Sequence, residues 1–135
     1  MRKSIQYKVE NEGRDKGKVF LLTEMPASQA ERWALRAFLA LARNGVEISD
    51  KDKDAGLAGL AANGLTLIGK LPFDEAQALM EEMFTCVKMI PDPQRPSVTR
   101  ELIEDDIEEI STRFNLRVEV FKLHVDFSEP ADPSE

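Results

Sequence analysis

Residues 27–43, "ASQAERWALRAFLALAR", carry apolar side chains over too much of a helical surface for burial on one side only. Ala30, Trp33, Ala34, Ala37, Phe38 and Leu41 recur at helical spacing and form one stripe, and Leu35 and Leu39 widen it to more than half the circumference. Such a helix needs cover on both sides, from its own fold or from another chain. Pro26 suits a first turn, while Ser28 with Glu31 three residues later fits a capping box, so two start signals compete within a couple of residues. "RNG" stops the helix, with Gly45 as its left-handed cap.

Upstream, "SIQYKV" alternates Ile5, Tyr7 and Val9, and "KVFLLTE" is apolar and partly β-branched. The polar "ENEGRDKG" between them completes the pattern of a β-hairpin with a long loop. A lone hairpin is marginal in water, so one face must pack on something, and the following helix is the obvious candidate.

Downstream, residues 50–70 turn from charged to rich in Gly, Ala and Leu. They read as a weak small-residue helix near 53–62 and then a flexible link: either close helix packing in the core or a mobile element that orders on a partner. "PFDEAQALMEEMFTCVKMI" predicts an amphipathic helix with Phe73, Ala76, Met80, Met83, Phe84, Val87 and Ile90 on one face, ended by the rigid connector "PDPQRP". Ile103, Ile107, Ile110, Phe114, Val118, Phe121 and Val125 then keep helical spacing. "LRVEV" and "LHVDF" each alternate like strands, but the unbroken seam favours a helix.

These segments predict a mainly α fold: a helical bundle of about four helices with a small N-terminal β-hairpin. Residues 1–127 are expected to form a single domain, with 1–25 as the hairpin and 26–127 helical, and 128–135 as a disordered tail. No apolar run approaches the roughly 20 residues that cross a bilayer, and the basic start "MRKSIQYKVE" lacks the apolar core of a secretory signal. The single cysteine, Cys86, forms no internal disulfide, which fits a reducing cytoplasm.

Charge narrows the function classes. Residues 1–99 hold 14 Lys and Arg against 14 Asp and Glu, so the net −7 comes wholly from residues 100–135. An acidic C-terminal third with no basic stripe elsewhere argues against a nucleic-acid partner. Glu101, Glu104 and Glu108 would share one helical face and could hold Mg²⁺, but a facing motif is needed and Glu81 and Glu82 lack the spacing. A solvated acidic face is the simpler reading. His124 reads as an ordinary helix-surface histidine, and Cys86 as a small hydrophobe. No phosphate loop and no nucleophile pattern is present. No catalytic, cofactor or metal residue is therefore expected.

"GRDKGKVFLLTEMPASQAERWALRAFLAL" resembles the N-terminal signature of tail assembly chaperones from long-tailed bacteriophages. The matching positions are Thr23, Glu24, Met25, Pro26, Glu31, Trp33 and Ala34, preceded by Arg14, Asp15, Gly17 and Lys18. "LRVEVFKLHVDF" resembles the family's closing helix, and residues 46–100 are similar only in character. The resemblance implies a non-enzymatic assembly factor in the host bacterial cytoplasm. It would bind the tape measure protein and tail tube protein while the tail is built, with no membrane or nucleic-acid partner. The other readings are a minor structural protein of the tail or head–tail connector, and a Mg-dependent helical nucleotide hydrolase. Partner binding is expected at Trp33, Phe38, Met80, Met83, Glu101, Glu104, Glu108 and Glu109. Trp33 is expected to be largely buried, the four glutamates to tune association rate, and competing apolar faces to favour a homo-oligomer.

Overall fold

The computed structural model describes residues 1–46 and 64–125. The alternating N-terminus forms strand β1 (Ser4–Lys8) and the apolar run forms β2 (Val19–Thr23). They pair antiparallel, with Ile5 opposite Leu22 and Tyr7 opposite Phe20. Gly17, at φ +90°, donates its N–H to the Val9 carbonyl at 2.8 Å and closes the loop between them, a backbone conformation that suits glycine.

The helical bundle with a small hairpin is overturned here. β2 also pairs with β3 (Val87–Ile90), and β3 with the two-residue β4 (Arg100–Glu101). The result is a four-stranded antiparallel sheet in the order β1-β2-β3-β4, an α+β arrangement. The segment read as one long helix is instead α2 (Phe73–Glu82), a 3-10 turn (Met83–Cys86) and then β3. Val87 and Ile90 fit a helical stripe and a buried strand equally well. The free edge of β2 decides between them, because pairing there satisfies backbone groups on both segments. "PDPQRP" lies between β3 and β4 and does not end a helix. Within it Asp92 Oδ1 accepts the Gln94 N–H at 3.0 Å, an Asx turn.

Helix α1 (Ala27–Arg43) starts from Pro26, and no side chain caps it, so Ser28 lies inside the first turn and the capping box does not form. Its end follows the sequence. Gly45, at φ +71°, donates to the Ala42 carbonyl at 3.1 Å and Val46 to the Leu41 carbonyl at 2.9 Å, the two bonds of a Schellman motif.

The C-terminal helix α3 (Ile110–Val125) is helical through the stretch that also alternates like a strand, but it begins later than the seam predicted. Ile103 and Ile107 precede it, and Ile103, Ile110 and Phe114 are exposed. Its buried residues are Thr112, Leu116, Val120, Phe121 and Leu123, of which Phe121 belongs to the predicted seam.

Two cores result. The first lies on the sheet: Phe20, Leu22, Val87 and Met89 pack with Met83, Leu116, Val120 and Leu123. The second joins α1 to α2 through Ala37, Ala40, Leu41, Ala76 and Leu79, with Leu67, Ile68 and Leu71 between them. Trp33 and Leu65 pack against both. Residues 64–68 are helical. The predicted helix at 53–62 and the tail at 128–135 lie outside the described residues. No helix among the described residues is long and apolar enough to cross a membrane.

Candidate interaction surfaces

The hairpin loop and the acidic segment form one charged junction. Asp15 is buried, and its carboxylate accepts the backbone N–H of Glu108 at 3.0 and 3.1 Å and that of Glu109 at 3.0 Å. Those amides stand just before α3, where a helix leaves donors without intrahelical partners, so Asp15 caps α3 from the far side of the chain. Lys18 Nζ donates to Asp15 at 2.9 Å, to the Asp106 carbonyl at 2.9 Å and to Glu108 at 3.3 Å. Burial alone would push the Asp15 carboxyl up. The hydrogen bonds from Lys18, Thr112 and the two amides outweigh this and hold it down at about 2. Beside it, Arg100 makes two 2.8 Å bonds to Asp106, lowering that carboxyl, and the Ile103 N–H adds a third at 2.8 Å.

This junction changes the reading of the acidic cluster. Glu101 lies in β4, Glu104 in a 3-10 turn, and Glu108 and Glu109 lead into α3, so they share no helical face. Glu108 binds Lys18, and Glu109 pairs with Arg14 at 3.4 Å. Glu101 faces Lys88 at 3.5 Å, and Glu104 is exposed. Only Glu101 and Glu104 stand clear of the junction. Among the described residues no group of three or more His, Cys, Asp and Glu is placed to hold a metal ion.

The apolar candidates separate too. Met83 is 2% exposed and belongs to the first core, so it offers a partner nothing. Trp33 is half-buried, with its Nε1–H donating to the Leu79 carbonyl at 2.8 Å and its ring 6.4 Å from that of Phe121 at a tilt of 57°. Phe38 is 57% exposed, on an outer stripe of α1 with Leu35 at 53% and Leu39 at 57%. The inner face of α1 is framed instead by ion pairs to α2, Arg36 to Glu82 and Arg43 to Glu75. Half-buried Met80 lines a groove of about 260 Å³ with Leu65, Thr66, Phe114, Arg117 and Val118.

The residues that carry the family resemblance mostly hold this fold. Thr23 bonds Ser4 between hydroxyls at 3.0 Å, and Glu24 accepts the Lys3 N–H at 2.8 Å. Met25 is buried, and its N–H donates to His124 Nε2 at 2.8 Å while His124 Nδ1 donates to the Val120 carbonyl at 2.9 Å. His124 is thus half-buried and ties the strand-to-helix turn to α3, more than the ordinary helix-surface histidine expected. Its replacement by Phe is expected to cost about 1–2 kcal/mol, because the Met25 amide loses its acceptor. An unchanged urea midpoint would contradict that role. Cys86 is buried, which pushes its thiol up to about 11 and leaves it unreactive.

The sequence does not mark Asp15, His124, Arg113 or Arg117 as site residues. Asp15 sits in a polar glycine-bearing loop that reads as solvated, and nothing local marks a partner 93 positions away. No protein-family description, curated protein or solved structure matches the chain.

Proposed function

We propose that this protein is a non-enzymatic assembly factor of the phage tail chaperone kind, acting in the bacterial host cytoplasm. It would hold apolar segments of the tape measure protein, and engage tail tube subunits, until the tail is built. The observation that carries this reading is the outer stripe of α1: Leu35, Phe38 and Leu39 stay more than half exposed on a helix anchored along its other side. Rigid helices with uncovered apolar stripes suit reversible capture of an amphipathic helix. The likeness at Thr23 to Ala34 points to the same class of protein. Without a partner, the stripe would also drive the protein to self-associate.

The test is co-expression with a tape measure protein followed by pull-down. The wild-type chain is expected to retain it, and the triple variant Leu35→Ser, Phe38→Ser, Leu39→Ser to lose it. These positions contribute little to the core, so the variant should melt within a few degrees of wild type. Equal retention by both chains sinks the assignment. Sedimentation velocity reads the second expectation: wild type associates at tens of micromolar and the triple variant does not.

A further inference from the structure

The groove lined by residues 65–66, by Met80 of α2 and by α3 has a chemistry of its own. Its walls are Leu65, Met80, Phe114 and Val118, and Arg117 runs along it. Arg113 and Arg117 both lie over the Phe84 ring, at 4.3 and 5.0 Å from its centre. They share one carboxylate, Glu81, at 3.1 and 3.9 Å. Arg117 Nε is buried and has no hydrogen-bond partner among the described residues. Burial, and then the neighbouring Arg113 charge, push Arg117 below the usual arginine value. Two guanidinium groups on one carboxylate leave a surplus positive charge against an apolar wall, in a chain whose net charge is −7. A part-buried cation that shares its one carboxylate with another arginine is costly, and a second carboxylate arriving with apolar neighbours relieves it.

We propose that this groove docks an apolar segment of a partner protein that carries a carboxylate among its apolar side chains. The apolar groups lie on Met80, Phe114 and Val118, and the carboxylate faces Arg117. Phe114, at 57% exposure, is the rim that the segment covers. The site is separate from the outer stripe of α1 and does not depend on which protein supplies the segment.

The probe is a short fluorescein-labelled amphipathic peptide with leucines along one face and a single glutamate among them. The control is the same peptide with glutamine. Anisotropy is read on the full chain. The glutamate peptide is expected to bind about tenfold or more tighter than its glutamine counterpart, the scale of a charge-assisted hydrogen bond. Arg117→Met should abolish that preference, and Phe114→Ser should weaken both peptides. Arg117→Met leaves Glu81 paired with Arg113, so it strands no counter-ion, and melting curves on both variants check that they fold. The proposal is overturned if the peptides bind alike, if neither binds, or if Arg117→Met keeps the preference. It is equally overturned if sedimentation shows a dimer that Phe114→Ser abolishes, which would give the groove to a second copy.

Discussion

Replacing Asp15 by Asn is expected to destabilise the protein by about 3 kcal/mol, although the residue sits in a loop. The carboxylate is buried and holds Lys18 and the two amides ahead of α3. Asn keeps the shape but turns one acceptor into a donor that faces other donors. Removing one member of a buried charge pair typically costs about 3–5 kcal/mol, and the surviving amide oxygen recovers part of that. A melting temperature lower by roughly 10 °C follows for a chain of this size. The acid limb supplies a second readout. Folding lowers this carboxyl from 3.8 to about 2, so its contribution is fully present above the unfolded value and is lost as the pH falls toward 2. That shift is worth about 2 kcal/mol. Denaturant midpoints across this range should therefore fall less steeply for Asp15→Asn than for wild type. Asp106, also lowered, adds to the same limb in both proteins. A variant as stable as wild type at neutral pH would show that the loop does not hold α3.

Trp33→Ala is the second large effect, about 3 kcal/mol. A fully buried tryptophan would lose more, but Trp33 is half-buried and its weight lies in where it stands. It packs on both cores and bonds the Leu79 carbonyl, so truncation loosens α1 from α2 and from Phe121 together. Trp33→Phe separates the contributions: it keeps most of the packing and loses the hydrogen bond, for about 1 kcal/mol. Calorimetry on the two variants measures the difference. Equal small losses would mean that the cores hold together without the ring.

The helix around Trp33 was legible because its signals are local: an apolar period, a proline before it, a glycine after it. Its hidden feature was which apolar residues it buries. Ala37, Ala40 and Leu41 go inward, and Leu35, Phe38 and Leu39 do not, because α2 covers only one side. The candidate surface was legible to the same degree. Of the apolar residues expected to meet a partner, Phe38 is exposed, Met80 is half-buried and Met83 is sealed beneath the sheet. Periodicity marks apolar positions but cannot say whether the cover is internal.

Local chemistry determined that the chain has an N-terminal strand pair, a tryptophan helix closed by Gly45 and a helix from Phe73, and it favoured a helix over the competing strand pattern at the C-terminal end. Tertiary structure alone decided the rest. Val87–Ile90 is a strand because β2 offers an edge to pair with. The C-terminal helix buries Leu116 and Val120 in place of Ile110 and Phe114 because those residues meet the sheet. Asp15, an acidic loop residue by every local measure, is buried because the amides ahead of α3 need an acceptor. In each case two local states differ by little. A backbone group or apolar face from a distant part of the chain supplies the kilocalories that separate them.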